Sequence, residues 1–303
     1  MRRSVKALLV AACLVFGLLL AAPVAGESTT LTLHTDGVVP VHTSIGGFNV
    51  SNAMLLIKIK DRMANLVAPT YTWPAGNVGD EFAMDRSVLD YLRLQQKFVP
   101  AGVWFNQFNL FQGTLEQAVE QVRLAKELGV RTDVWTVGNE ADLYGPNRGD
   151  RSWTPQKYAS VFRQWATALK ATYPGLVISG PAISQPNDEW MRVFIAECGD
   201  LVDVLSWHWY PTNGKANDAD ALRTSQDAAA MVNKYQSWLT DPARNPKGYT
   251  RTIPTAVTEF ALHWDSTNGN QLDDLVGATW TADVLELDWA GLYPAPAFQC
   301  RVS

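Results

Sequence analysis

The chain has 303 residues, of which 47% are hydrophobic and 18% are charged, and its net charge at pH 7 is −5. The acidic balance argues against nucleic acid as a partner, because proteins that bind nucleic acid present an excess of positive charge. The length suits one large α/β domain and leaves no room for a second domain of similar size.

Basic residues open the chain, and a run of apolar residues and then small residues follows through residue 26. This order is typical of a secretory signal peptide. We therefore predict that residues 1–26 are removed on export to the extracellular space or periplasm, with no stable membrane insertion afterwards. The alternatives are an uncleaved anchor and a lipoprotein signal that ends before Cys13.

The exported part is predicted to begin with an extension, residues 27–45, that contains one short strand near residues 30–35. From residue 46 onward, apolar strand patterns alternate with helical patterns, which indicates a parallel sheet wrapped by helices. Residues 46–303 are therefore predicted to form an α/β fold of the (β/α)8 TIM-barrel type. After two weak initial strands, the predicted strands cover residues 103–110, 132–137, 176–179, 201–207, 253–258 and 292–298.

The end of the predicted barrel is weak. Pro294 and Pro296 both lie in strand eight, so two missing N–H groups face the same neighbouring strand. We therefore expect a weak closing seam, with a barrel that is incomplete at strand and helix eight as the alternative. Cys198 and Cys300 are predicted at opposite ends of the barrel, and we expect them to be unpaired.

Two glutamates stand out in this barrel, because each directly follows an apolar strand. Glu140 comes after predicted strand four and Glu259 after predicted strand seven. Active sites of TIM barrels lie at the carboxyl ends of the strands. A charge there is costly unless the site uses it. Glycoside cleavage needs such a pair, with one acid to protonate the departing oxygen and one carboxylate to attack the anomeric carbon.

Rival chemistries lack their usual sequence signals. The chain has four histidines and no His-Glu-x-x-His spacing, which argues against a zinc hydrolase. It has no Gly-x-Ser-x-Gly elbow and no glycine-rich phosphate loop. We therefore predict neither a metal nor another cofactor.

The residues around both glutamates resemble a known family. The segment at 138–144 resembles the Asn-Glu motif that follows strand four in the clan A retaining glycoside hydrolases; it reads Gly-Asn-Glu-Ala-Asp-Leu-Tyr. The segment at 257–260, Val-Thr-Glu-Phe, resembles the strand-seven motif of the same family. The resemblance is nearest to the β-xylosidase/α-iduronidase and endo-glucuronidase/heparanase types. It implies that Glu140 is the general acid/base, that Glu259 is the nucleophile and that Asn139 contacts the sugar 2-hydroxyl.

Further motifs follow in barrel order. Trp-Pro-Ala-Gly-Asn at 73–77 looks like the family's turn after strand two, Phe-Asn-Leu-Phe at 108–111 is similar to its strand-three ending, and Trp-His-Trp-Tyr at 207–210 resembles its strand-six cluster. Side chains alternate along a strand, so one pair of that cluster faces the barrel lumen, and the resemblance assigns it to His208 and Tyr210. The remaining predicted substrate-binding residues, which could equally serve packing or turns, are Trp73, Asn77, Asn109 and Trp264.

Three departures from the family leave an alternative open. Thr72 stands where the family has an arginine that supports the nucleophile, Ala141 replaces a proline, and we expect the C-terminal β-sandwich of the family to be lacking. The chain is therefore predicted to be a secreted retaining glycosidase that cleaves O-glycosidic bonds of a plant or microbial polysaccharide or oligosaccharide. The alternative is a catalytically impaired or truncated carbohydrate-binding remnant of such an enzyme.

The assigned roles carry two expectations about geometry and charge. The carboxyl groups of Glu140 and Glu259 should lie about 5 to 5.5 Å apart, as in retaining enzymes. Like charges at that distance repel, so one proton should stay on the pair near neutral pH, with Glu140 as its holder.

Overall fold

The computed structural model describes residues 46–51, 55–64, 69–265, 267, 269, 271–287 and 297–300. All of them belong to one compact unit, Val39–Ser303. The predicted signal peptide and the extension with its short strand lie outside the described residues. None of the helices in the described ranges is long and apolar enough to cross a membrane.

Eight parallel strands form a closed barrel in which each strand pairs with its neighbours in chain order. The predicted (β/α)8 fold class is thus confirmed. The strands are β1 Gly46–Asn49, β2 Pro69–Trp73, β3 Val103–Phe108, β4 Val134–Val137, β5 Ile178–Ile183, β6 Val204–Trp209, β7 Thr255–Phe260 and β8 Ala297–Cys300.

The seam between β8 and β1 is the weakest part of the barrel. A single residue pair, Phe48 with Cys300, joins these two strands, whereas β1 and β2 share four pairs. The pairing of β7 with β8 also contains a register shift. The two prolines that predict this weakness, Pro294 and Pro296, lie outside the described residues, as does any eighth helix.

Helices and short 3-10 turns connect the strands. Their starts follow the capping chemistry of the sequence: Thr114 accepts from the Gln117 backbone in a capping box, and Gly129 ends the same helix in the left-handed conformation at φ 70°. The α-helices are Lys60–Met63, Arg86–Gln95, Leu115–Leu128, Tyr144–Arg148, Pro155–Thr172, Asp188–Cys198, Asp218–Arg223, Asp227–Thr240 and Leu275–Leu287.

Several strands run further toward their carboxyl ends than the sequence predicts. β5 was expected to stop at residue 179, before Gly180 and Pro181, yet it continues to Ile183. It does so through a register shift beside Pro181, where Ala182 adopts a left-handed φ of 50°. A proline removes one ladder hydrogen bond, and an irregularity at that point lets the strand continue.

Two groups of buried apolar side chains stabilise the barrel. The larger group packs between the strands and the helices. The smaller group comes from strands alone and fills the barrel interior with Phe105, Val134, Val204 and Ala256. Polar residues that follow this layer are thereby held at the mouth of the barrel. The buried Cys198 is a free thiol, as predicted.

The larger core generates a stability prediction. Phe162 is fully buried, and its ring meets that of Phe194 edge to face at 4.8 Å between centroids. Phe162→Ala should therefore lower the free energy of unfolding by about 3–5 kcal/mol, measured by urea denaturation. Leu94→Ala, at a side chain that is 41% exposed, is the control and should change it by less than about 0.5 kcal/mol. Equal effects of the two changes would contradict this packing.

Candidate active site

Glu140 stands on a sharp bend directly after β4. Gly138 adopts φ 74° and Glu140 itself φ 48°, a left-handed conformation that is rare for a residue with a side chain. Such a backbone costs about 1–3 kcal/mol and persists only where its surroundings hold it. Here the Glu140 N–H donates to the carbonyl of Ala182 on β5 at 2.9 Å.

Glu259 lies within β7, one residue before the strand ends, and its side chain is almost fully buried. The Tyr210 hydroxyl donates to its Oε2 at 2.7 Å. The turn after β2 approaches its other oxygen, because a Cβ placed on Gly76 would stand 3.6 Å from Oε1. Gly76 also has φ 64°, so glycine suits this position for two reasons.

His208 connects the two carboxylates. Its Nδ1 lies 2.8 Å from Glu140 Oε1 and 3.7 Å from Glu259 Oε2. One oxygen of each carboxylate and the imidazole nitrogen all lie within 4.8 Å of one another. The structure therefore brings the ends of β4, β6 and β7 together in one compact cluster of ionisable groups.

The charge state of His208 follows from this cluster. Burial lowers the pKa of His208, but the negative charge of Glu259 and the hydrogen bond and charge of Glu140 outweigh burial, so its pKa is raised above the ordinary value. This shift favours the protonated imidazole, whose Nδ1 lies near both carboxylates. The sequence assigns the proton of the site to Glu140, whereas the geometry also allows that proton to lie on the His208 Nδ1.

The same three donor atoms are close enough together to hold a metal ion, which the sequence does not predict. Carboxylates and imidazoles are ligands that zinc accepts. In the structure these atoms are engaged by one another and by Tyr210.

Of the other predicted substrate residues, three lie in or next to the cluster. His208 and Tyr210 are on the side of the carboxylates, whereas Trp207 and Trp209 pack against helix residues, with Trp207 5.3 Å from the ring of Tyr235. This is the alternation that the sequence predicts. Asn139 is buried beside Glu140, and its Nδ2 has no hydrogen-bond partner within the described ranges.

The structure does not bring Trp73 and Asn109 to the cluster. Trp73 is 1% exposed and belongs to the core between strands and helices. Asn109 is used by its own loop: its Oδ1 accepts from the backbone of Gln112 and Gly113, and its Nδ2 donates to the carbonyl of Phe82. In this structure Trp73 serves packing and Asn109 serves its turn, which are the alternative roles that the sequence leaves open, and their predicted contacts with substrate stay predictions.

Asn77 and Trp264 lie on loops at the carboxyl ends of the strands. Asn77 is exposed, and its Oδ1 accepts from Arg148 at 3.2 Å. Trp264 follows β7 and is 59% exposed, which leaves a flat ring face open to solvent. Their predicted contacts with substrate stay predictions.

Asp80 is a buried carboxylate that the sequence analysis did not single out. It accepts hydrogen bonds from the Leu110 N–H, the Asn139 N–H and the Tyr144 hydroxyl. Burial raises its pKa to about 6, although these hydrogen bonds and the charge of Arg148 act in the opposite direction. The sequence gives only a weak indication of this role, because Asp80 ends a 3-10 turn and does not follow an apolar strand.

Two further polar residues complete the surroundings. Asp142 accepts from the backbone and the hydroxyl of Ser184, and burial raises the pKa of Asp142. Thr72, at the position where the family has arginine, is buried, and its hydroxyl has no hydrogen-bond partner in the described part of the chain. The support for Glu259 in this structure comes from Tyr210 and His208.

A comparison of the sequence with known families shows where this site belongs. The family described as glycosyl hydrolase catalytic core matches residues 98–274, more than half of the chain. The chain belongs to this family. The matched region runs from just before β3 to just before the helix Leu275–Leu287, so it contains Glu140, His208 and Glu259.

Individual relatives are distant. The chain is 24% identical over 196 residues to the alkali-sensitive linkage protein 1 of Schizosaccharomyces pombe, with 61% of this chain and 32% of that protein covered. Its fold is similar to an α-L-arabinofuranosidase of Thermotoga maritima, with a TM-score of 0.61, 16% identity and coverage of 82% of this chain and 57% of the other. It is also similar to a β-xylosidase of Caulobacter crescentus, with a TM-score of 0.54, 15% identity and coverage of 84% and 59%.

These likenesses to solved structures concern the fold. The chain spans about a third of the length of the Schizosaccharomyces pombe relative and less than two thirds of either enzyme structure.

The raised pKa of His208 generates a prediction about pH and stability. The folded state binds the His208 proton more tightly than the unfolded state, so this interaction stabilises the protein fully below the unfolded pKa of about 6.5. The stabilisation should be lost as the pH rises through the raised folded pKa. The difference in unfolding free energy between the wild type and His208→Gln, from urea denaturation at a series of pH values, should shrink in that range.

The cause of the shift can be tested separately. In Glu140→Gln the imidazole loses a charged hydrogen-bond partner, so the NMR titration midpoint of His208 should fall relative to the wild type. A wild-type midpoint below about 6.5 would show that burial, and not the two carboxylates, dominates the pKa.

Proposed function

We propose that this chain is the catalytic part of a retaining glycoside hydrolase, which cleaves O-glycosidic bonds of a polysaccharide or oligosaccharide by double displacement. The observation that carries the proposal is the approach of the Glu140 and Glu259 carboxylates to within 4.8 Å. Retaining enzymes place their carboxyl groups about 5–5.5 Å apart, while inverting enzymes separate them by about 6.5–9.5 Å to admit a water.

In the first step, Glu259 attacks the anomeric carbon and Glu140 donates a proton to the departing oxygen. Glu259 suits the nucleophile because it is deeply buried and accepts a hydrogen bond from Tyr210 on Oε2, which orients the carboxylate. Glu140 suits the acid because its side chain is more exposed and shares a hydrogen bond with His208. The proton held between Glu140 and His208 is the one that leaves with the sugar oxygen.

In the second step, water attacks the glycosyl-enzyme. The bond to the sugar removes the negative charge of Glu259, so Glu140 and His208 no longer face a second carboxylate. Glu140, now ionised, accepts a proton from the water as the bond between Glu259 and the anomeric carbon breaks. The product keeps the configuration of the substrate, and the enzyme returns to its starting charge.

The alternative, an impaired carbohydrate-binding remnant, gains support from Thr72. Its buried hydroxyl cannot supply the positive charge that an arginine would place near the nucleophile. His208 opposes this argument, because its Nδ1 lies 3.7 Å from Glu259 Oε2 and its raised pKa favours the cationic form of the imidazole. We therefore favour the active enzyme. We further propose that residues 1–26 direct its export.

The roles of the carboxylates can be tested with aryl glycosides and azide. Glu259→Ala should lower turnover by at least about 10⁴-fold, and azide should restore part of it by forming a glycosyl azide of inverted configuration. Glu140→Ala should lower turnover by about 10²–10⁴-fold on substrates with poor leaving groups and much less on activated ones. Azide should then give a product of retained configuration, identified by proton NMR.

Glu197→Gln is the matched control. Glu197 is an exposed glutamate, paired with Lys247, near the end of the helix Asp188–Cys198. Its loss should leave turnover unchanged. Full activity of Glu259→Ala would refute the nucleophile assignment, and binding of glycans without any turnover by the wild type would support the remnant instead.

A further inference from the structure

One buried carboxylate ties together the loops that follow three consecutive strands. Asp80 ends the 3-10 turn Gly76–Asp80 after β2 and is 0% exposed. Its Oδ1 accepts from the Leu110 N–H, just after β3, at 3.0 Å. Its Oδ2 accepts from the Asn139 N–H, just after β4, at 3.1 Å, and from the Tyr144 hydroxyl at 2.5 Å.

The second of these contacts acts on the bend that carries Glu140. The strained backbone of Glu140 is held on one side by its own N–H, bonded to the Ala182 carbonyl, and on the other by the Asn139 N–H, bonded to Asp80. Without an acceptor at Asp80, the bend loses the hydrogen bond of the Asn139 N–H and keeps those of the Gly138 and Glu140 N–H groups to the carbonyls of Phe108 and Ala182. A left-handed bend of this kind relaxes when the surrounding contacts no longer hold it.

The packing around this bend is tight. A Cβ on Gly138 would stand 2.7 Å from Leu110 Cδ2 and 3.1 Å from the Tyr144 hydroxyl. The loops from β3 and β4 therefore meet at a glycine, next to two of the groups that donate to Asp80. A movement of either loop would change the place of Glu140 relative to Glu259.

We propose that Asp80 is a positioning residue for the acid/base, holding the Asn139–Glu140 backbone so that the Glu140 carboxyl group points at the departing oxygen. This inference rests on the proposed glycosidase function. Asp80 does not touch the reacting atoms, because its two oxygens are occupied by the three donors. Replacement of Asp80 should therefore slow only the step in which Glu140 protonates the departing oxygen.

Asp80 must be an acceptor on both oxygens, which makes asparagine an informative replacement. With its amide oxygen toward Leu110, an asparagine would place an NH₂ group against the Asn139 N–H. In the opposite orientation it would place that group against the Leu110 N–H. One backbone donor is left without a partner in either case, although the size of the side chain is unchanged.

The test compares leaving groups. In Asp80→Asn, kcat/KM should fall about 100-fold for an unactivated oligosaccharide, as expected for a displaced catalytic group. For a dinitrophenyl glycoside, which needs no proton from the acid, it should fall less than about threefold. A purely structural role would lower both equally, because it would reduce the amount of active enzyme.

Tyr144→Phe is the second variant, since it removes one of the three donors and keeps the ring that packs edge to face on Phe111 and Trp153. It should show the same selectivity with a smaller loss, about tenfold on the unactivated substrate. Tyr173→Phe is its control: that hydroxyl donates to the Val119 carbonyl, between two helices. Tyr173→Phe should leave kcat/KM unchanged for both substrates.

The pH profile supplies an independent readout from the intact enzyme. The groups that act on the Asp80 carboxyl are the Tyr144 hydroxyl, the two backbone donors and the charge of Arg148, and the buried phenol of Tyr158 feels its charge in turn. Protonation of Asp80 puts a donor against a donor, so activity on the unactivated substrate should fall as the pH drops through about 6. Asp80→Asn should lack this acidic limb.

The outcomes separate the two proposals. Equal losses on both substrates, or no loss, in variants of an active wild type would overturn the role of Asp80 and leave the glycosidase proposal standing. A wild type that hydrolyses no glycoside would overturn both.

Discussion

Two carboxylates, Glu140 and Glu259, approach within 4.8 Å at the mouth of the barrel, and the rest of the site is arranged around their repulsion. At an effective dielectric constant of about 20, two full charges at that distance repel by on the order of 3 kcal/mol. His208 offsets this repulsion, because its Nδ1 lies near both carboxylates and the two carboxylates raise its pKa. The fold supplies the three groups from β4, β6 and β7, and a layer of buried apolar side chains from the strands fills the barrel beneath them.

The fold was predictable from sequence because its patterns are strong where they matter. A capping box and a terminal glycine bound the helix after β3. Apolar strand patterns that are directly followed by a carboxylate indicated both glutamates as residues at the strand ends. The strand limits were less predictable: the predicted strand five ends at residue 179, whereas a local irregularity beside Pro181 lets β5 continue to Ile183.

The candidate site was predictable only in part, for two physical reasons. The first is that Trp73 was assigned to substrate from its resemblance to the family's turn after strand two, whereas along β2 it alternates with threonines and faces the core on the same side as Tyr71. The second is that Asp80 gains its importance from donors 30, 59 and 64 positions further along the chain, which no local pattern reveals. His208 and Tyr210 were accessible to prediction because they alternate with tryptophans that need the core.

In the proposed mechanism, Glu259 forms a covalent bond to the sugar. This bond can be detected by incubating the enzyme with a 2-deoxy-2-fluoro analogue of an activated glycoside that the enzyme hydrolyses. The intact protein and its peptides are then analysed by mass spectrometry. The 2-fluoro group slows hydrolysis of the glycosyl-enzyme. We therefore expect one added fluoroglycosyl unit, located on the peptide that contains Glu259. Turnover with inverted configuration and no label on the protein would contradict the covalent role of Glu259. A label on another residue would contradict it as well.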